Sequence, residues 1–159
     1  MVYGVGGAGE FRKIARLMRR GLFPRLGSGR NLTPLVHVSD VVQGALKAAA
    51  RGRVGEVYLL TSAHSIELDR MRELIMSAWG RRALYPYVPV WTMNALAGAF
   101  EWWAGLRGTT PVATRRNIAS TAWDREFSIA KACRDLGYEP TVSFEQGIAE
   151  TVSWFKETG

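Results

Sequence analysis

Residues 35–42 read Leu35-Val36-His37-Val38-Ser39-Asp40-Val41-Val42. An apolar run broken by one histidine leads into Ser39 and Asp40, and then into residues spaced as on a helix. Residues 35–38 are short and apolar enough to be a buried strand. Ser39 is a favoured amino-terminal cap, because its hydroxyl accepts from an unpaired N–H of the first turn. Asp40 in that turn is explained by the helix dipole. Val42, Ala45, Leu46 and Ala49 then form one stripe, predicted to face inward, and Gly52 stops the helix. A strand that runs directly into a helix is the repeating unit of α/β folds.

The same alternation extends in both directions. Val2-Tyr3 reads as the end of a strand, followed by a glycine-rich turn from Gly4 to Gly9. A helix follows, with Phe11, Ile14 and Leu17 on one face and Gly21 at its end. Downstream, residues 56–60 are predicted to be a buried strand. Leu68, Met71, Leu74, Ile75 and Ala78 mark an amphipathic helix ending at Gly80. Pro89 precedes a tryptophan-rich helix, and Thr110-Pro111 suits a helix start, since Pro at the first position loses no hydrogen bond. Ser128 caps a short helix ended by Gly137. Ser143 and Gln146 make a capping box for a last helix that presents Ile148, Val152 and Phe155. No repeat or linker interrupts this order. The prediction is one α/β domain over residues 1–159.

Bulk properties narrow the function classes. The chain has 159 residues, 47% hydrophobic and 22% charged, which is globular composition. Its single cysteine, Cys133, excludes an intrachain disulfide and suits a reducing, cytoplasmic setting. The net charge of +7 is dominated by arginine and spread in short clusters such as Arg12-Lys13, Arg19-Arg20, Arg81-Arg82 and Arg115-Arg116. Without a long basic run or a nucleic-acid-binding signature, no nucleic-acid partner is expected. The most apolar stretch, residues 85–106, contains Pro86, Pro89 and Glu101. It reads as a core or pocket helix rather than a membrane span, with rest on a membrane surface the weaker alternative. His37 and His64 have no partners at ligand spacing, so no metal is expected. His37 reads as a buried, hydrogen-bonded structural histidine.

Gly4, Gly6 and Gly9 match G-x-G-x-x-G, the turn that brings backbone close to a dinucleotide pyrophosphate. The context fails. The strand before it is very short, and no second strand ending in an acid follows about twenty residues on. A loop after a strand is the better reading.

Taken in order, the segments resemble a known family. Val2-Tyr3-Gly4-Val5-Gly6 resembles the run that ends the sixth strand of extended short-chain dehydrogenases/reductases, with Val5 in place of the usual Pro. Leu35 to Val42 matches the family's "vHVsDvv" element, and Gly55-Glu56-Val57-Tyr58 its next strand. Phe127-Ser128-Ile129-Ala130-Lys131-Ala132, Leu136-Gly137-Tyr138-Glu139-Pro140, Val142-Ser143-Phe144-Glu145-Gln146-Gly147-Ile148 and Thr151-Val152 with Trp154 match its closing elements. The spacing of Pro89, Glu101, Pro111 and Thr114-Arg115 resembles the 3β-hydroxysteroid dehydrogenase-like and sterol-dehydrogenase-like branch.

The resemblance implies the last strands of a Rossmann-type sheet plus a small, mainly helical substrate-binding lobe. It implies that the chain is the carboxy-terminal half, with the dinucleotide-binding half absent. Family members carry a Tyr-x-x-x-Lys pair for proton transfer and bind NAD or NADP. Here Lys13, Lys47, Lys131 and Lys156 all lack a Tyr four residues earlier, so no catalytic residue is assigned. The chain alone is expected to bind no cofactor. Tyr3 and Gly4 sit where the family approaches the nicotinamide; the competing reading is a strand end that packs. Arg30 and Arg115, with Thr114 beside it, are candidates for an anionic or hydroxylated substrate, against ordinary surface charge. Trp91, with Trp102 and Trp103, lines a pocket or belongs to the core. Sterol-like and nucleotide-sugar substrates both remain open. Partial sheets expose apolar faces, so the expected partner is the missing Rossmann half or a second copy. The parent reads as an NAD(P)-dependent oxidoreductase or epimerase. A non-enzymatic binding remnant and one chain of a split enzyme are the alternatives.

Overall fold

A computed structural model describes residues 1–7, 9–20, 25–26, 29–82, 87–89, 92, 98 and 123–158. Its elements, in order, are β1 (Val2–Tyr3), α1 (Glu10–Arg19), β2 (Arg25–Leu26), β3 (Leu32–Thr33), β4 (Val36–His37) and α2 (Val38–Arg51). There follow β5 (Ile66–Glu67), α3 (Leu68–Ala78), β6 (Tyr87–Val88), α4 (Ala130–Leu136) and α5 (Phe144–Thr158). The fold is α/β. Among the described residues the strands form three pairs. β1 and β4 are parallel, with Val2 opposite Val36 and Tyr3 opposite His37. β2 and β6 are parallel, and β3 and β5 antiparallel.

The main core lies where α1, α3 and α5 meet β1. Tyr3, Phe11, Ala15, Met18, Leu35, Met71, Ile75, Ile148, Val152 and Phe155 are all buried there. Burial of one such large side chain stabilises by roughly 1.5–3 kcal/mol, so this cluster supplies much of the stability. A smaller cluster joins α2 to α4 through Ala132, Leu136 and Tyr138, with Ala48, Tyr58 and Leu60 packed against it.

Five sequence expectations need correction. On α1 the buried stripe is Phe11, Ala15 and Met18, while Leu17 is exposed. The helix turns by about one position so that Ala15 and Met18 meet α3 and α5. The cap of α2 is His37 rather than Ser39: its side chain accepts from the Ser39 N–H, and α2 starts one residue earlier than expected. Residues 56–60 form no strand among the described residues, and Val57 and Leu59 are exposed. A β-rich run becomes a strand only when another backbone pairs with it.

The fourth correction concerns which face of α2 is buried. Asp40 and Gly44 point inward, whereas Val42 is 52% and Leu46 68% exposed, with Ala45 and Ala49 beside them. Gly44 is required here, because a Cβ would lie 2.7 Å from Leu60 Cδ2 and 3.0 Å from Tyr138 Cδ2. α2 therefore has one stripe on α4 and a second apolar stripe that no described residue buries.

The cap position of α4 is Ile129 rather than Ser128, whose Oγ accepts from Ala130 N, the first residue of the helix, at 3.3 Å. Other signals stand as read. Gly137 closes α4 in the left-handed conformation with φ 67°. Ser143 Oγ accepts from Gln146 N at 3.2 Å at the start of α5, where Ile148, Val152 and Phe155 are buried.

Candidate functional site

Tyr3 and Gly4 end β1 and lie beside the start of α2. The Tyr3 ring is buried, 5.1 Å from the Phe11 ring centroid and edge-on to His37 at 5.2 Å. Its hydroxyl has no hydrogen-bond partner, and neither has His37 Nε2. Burial, followed by the charges of Asp40 and Glu145, pushes the Tyr3 hydroxyl far above its ordinary pKa. The phenol is therefore a neutral core group rather than a proton donor at the surface. Gly147 permits this packing: a Cβ there would lie 2.5 Å from the Tyr3 hydroxyl oxygen. Gly4 has φ +139°, and a Cβ would meet Val38 Cγ1 at 2.5 Å. Only glycine brings the backbone so close to α2 at that turn.

His37 is buried, as expected of a structural histidine. Its Nδ1 accepts from Ser39 N at 3.4 Å and lies within hydrogen-bonding distance of Ser39 Oγ. Asp40 is 2% exposed and does more than complement the dipole. Its Oδ1 accepts from Thr141 N at 2.9 Å, and its Oδ2 from Val142 N at 3.3 Å. That clamp fixes the loop before α5. The sequence showed an acid in a first turn, but not its partners 101 and 102 residues away.

Arg30 is exposed, on the loop between Gly29 and β3. Nearby, Asp69 holds Arg25 at 2.8 Å and the fully buried Arg72, three residues on along α3, at 2.8 Å; the second is a helical i,i+3 pair, whereas no local pattern announces the first. Trp91, Thr114 and Arg115 lie outside the described residues, as do Trp102, Trp103 and the helix start at Thr110-Pro111. The described residues thus join Tyr3 and Gly4 to His37, and place Arg30 on a separate loop.

An apolar groove of about 190 Å³ lies at the edge of the β1–β4 pair. Val2, Pro34, Val36, Leu59 and Phe127 line it, with Thr61 as its polar member. Small-molecule sites run to about 300–1,000 Å³ and carry several convergent polar groups. This groove has the size and lining to receive apolar side chains. None of its lining side chains is an acid or a base. Among the described residues no cluster of His, Cys, Asp and Glu could hold a metal ion. No described helix is long and apolar enough to cross a membrane.

The Gly4-to-Gly9 turn joins β1 to α1. Added Cβ atoms at Gly6 and Gly9 would meet nothing within 4 Å. Glu10 occupies the first turn of α1, where its charge opposes phosphate. β1 spans two residues and pairs with β4 rather than with a strand ending in an acid.

Comparison with known proteins adds what the geometry leaves open. No family model matches the chain. The chain is 30% identical over 149 residues to 4-hydroxy-2-methyl-3-oxo-4-farnesyl-3,4-dihydroquinoline-1-oxide ketoreductase from Stigmatella aurantiaca, covering 92% of this chain and 45% of that protein. It is 29% identical over 145 residues to dTDP-glucose 4,6-dehydratase from an Actinoplanes strain, covering 90% and 37%. With a 3 beta-hydroxysteroid dehydrogenase/Delta 5-->4-isomerase from Mycobacterium tuberculosis it shares 26% identity over 170 residues, covering 97% and 44%. Among solved structures, that of gox2253 superposes over 100% of this chain and 48% of its own, with a TM-score of 0.75 and 24% identity, which shows a common fold. The chain spans less than half the length of each of these proteins.

Proposed function

Since the chain belongs to the extended short-chain dehydrogenase/reductase family, we propose that it is the substrate-binding part of an NAD(P)-dependent oxidoreductase or epimerase. On this reading its uncovered apolar surface docks the dinucleotide-binding half. The observation that carries the proposal is α2. Val42 and Leu46, at 52% and 68% exposure, form an apolar stripe with Ala45 and Ala49 that faces solvent. Val2 and Leu59, at 52% and 50% exposure, line the apolar groove. Their apolar area suits a covering partner rather than water.

In this arrangement Tyr3 and Gly4 contribute backbone at the nicotinamide end, and the Tyr3 side chain supports that backbone from below. Arg30, Trp91, Thr114 and Arg115 are the proposed substrate contacts. The relatives' names point to two substrate classes, polycyclic or prenylated lipophilic ketones and nucleotide sugars. The sequence spacing of residues 89–115 favours the first. NAD or NADP, when bound by the whole assembly, supplies or accepts the hydride. This chain's own residues bind and orient the substrate.

The test mixes the 159-residue chain with the separately expressed dinucleotide-binding half of the Stigmatella ketoreductase. A stable complex on size exclusion, lost in Leu46→Asp, is expected. So is carbonyl-dependent oxidation of NAD(P)H by the mixture but not by either part alone. Tight binding of NAD(H) by the 159-residue chain on its own, seen as quenched tryptophan emission, would sink the reading. So would a monomer indifferent to the added half.

A further inference from the structure

Residues 56–61 read Glu56-Val57-Tyr58-Leu59-Leu60-Thr61, a strand composition that forms no strand. Exposure alternates along them. Val57, at 76%, and Leu59 face outward, while Tyr58 and Leu60 turn in against the cluster that joins α2 to α4. That is the two-residue period of an extended chain. No backbone N–H from Val57 to Thr61 has a partner among the described residues. The run has the direction and the side chains of an edge strand, with its ladder bonds unmade.

Two side chains occupy one side of it. In an extended chain the carbonyls of Val57, Leu59 and Thr61 point to the same edge. Lys131 Nζ donates to the Val57 carbonyl at 2.8 Å and is paired with Glu56. Tyr138 Oη donates to the Thr61 carbonyl at 3.1 Å. Helix α4 places both donors. Lys131 lies in its first turn, with the ammonium 4.8 Å from the Tyr58 ring centroid. Gly137, in the left-handed conformation, turns the chain so that Tyr138 packs with Leu136 and its hydroxyl reaches Thr61. Burial pushes that hydroxyl up to about 12, so at neutral pH it holds its proton and remains a donor. The two donors stand where the N–H groups of a neighbouring strand would stand.

We propose that Lys131 and Tyr138 guard this edge, and that without them a second copy of the chain pairs its own residues 56–61 there. An unpaired edge of β-branched, aromatic and aliphatic residues is a template for another strand, and a lysine set on the edge is a means of blunting it. Among residues 56–61 only Glu56 carries a charge, and Lys131 already offsets it. No repulsion along the segment therefore keeps two copies apart. Identical strands meet antiparallel about a two-fold axis, each offering the other the same donors and acceptors. The guard belongs to α4, whereas the exposed stripe of Val42 and Leu46 lies on another side of α2. This inference does not depend on the docking reading above.

The test is the self-association constant of the 159-residue chain, measured by sedimentation equilibrium. K131M keeps the stem and removes one donor; Y138F keeps the ring and removes the other. One net hydrogen bond changes an equilibrium roughly five-fold. Each copy frees two carbonyls, so K131M/Y138F should self-associate at least about thirty-fold more tightly than the parent. K131R, which keeps a donor, should behave as the parent. Adding L59P to the double variant removes the central N–H of the edge and should return the constant to the parent's. Adding L46D, which spoils the α2 stripe, should leave the strengthening intact. Circular dichroism establishes folding; if the double variant does not fold, K131M alone decides, with a change of about five-fold. A folded variant that keeps the parent's constant overturns the proposal. So does strengthening that survives L59P, is abolished by L46D, or is matched by K131R.

Discussion

Replacing Asp40 by Asn tests the clamp between α2 and the start of α5. The carboxylate accepts from two backbone N–H groups, at 2.9 and 3.3 Å, and from the Thr141 hydroxyl at 3.4 Å. Asn keeps one acceptor oxygen. Placed to retain the shorter bond to Thr141 N, it turns its NH2 toward Val142 N and leaves that donor buried and unpaired. Losing a hydrogen bond to a charged group costs about 1.5–3 kcal/mol. The lost negative charge in the first turn of α2 adds about 0.3–1 kcal/mol. Asp40→Asn should therefore destabilise by about 2–4 kcal/mol, and Asp40→Ala by somewhat more. With a urea slope of about 2 kcal/mol/M, the midpoint falls by roughly 1–2 M. Urea unfolding followed by far-ultraviolet circular dichroism and by tryptophan emission measures it. Thr141→Val is the control: it removes only the long hydroxyl bond and should cost less than about 1 kcal/mol. If Asn and Ala at position 40 both unfold within about 0.5 kcal/mol of the parent, the two backbone bonds hold nothing together and the reasoning fails.

Three further outcomes follow from the same contacts. Gly147→Ala drives a methyl against the Tyr3 hydroxyl oxygen at 2.5 Å. It should lower stability by about 1–3 kcal/mol, and Tyr3→Phe in the same chain should recover part of that in a thermal melt. Ser143→Ala removes the acceptor for Gln146 N and should cost about 1 kcal/mol, read by the same urea titration. Tyr138 is pushed up to about 12, first by burial and then by the charge of Asp40. Its folded pKa lies above the ordinary value of 10.0, so its contribution is complete below pH 10 and is lost as pH rises through about 12. Stability measured across that window should fall, and Tyr138→Phe should flatten the fall. An unchanged slope would mean that the phenol is solvated.

The parts of this fold legible in the sequence are those set by near neighbours. Gly137 and Ser143 announce helix ends because a cap is a bond over two to four residues. The motif at residues 35–42 announces strand followed by helix for the same reason. Periodicity locates an apolar stripe on α2 but does not say which neighbour it meets. Val42 and Leu46 have the spacing of core residues, yet α4 packs against Gly44 and Ala48 instead. Residues 56–60 have strand composition, and composition supplies no pairing partner. In the candidate site, Tyr3 and Gly4 were legible from the β1–glycine turn, and His37 as a buried histidine. The match of Gly147 to the Tyr3 hydroxyl was not, nor was the grip of Asp69 on Arg25. Those contacts join segments that only the folded chain brings together.

The bond from Asp40 to residues 141 and 142 ties an early helix to the last one across a span of about a hundred residues. α4 also sits on α2, and Lys47 Nζ donates to the Gly137 carbonyl at 2.5 Å. The start of α5 is thereby anchored to α2. In hydrogen exchange, the amides of Thr141 and Val142 should open together with the middle of α2, as one cooperative unit rather than two. Proteases should find no early cut between α4 and α5, although that loop lies at the surface. The loop that leads into α5 is held to α2 by one carboxylate.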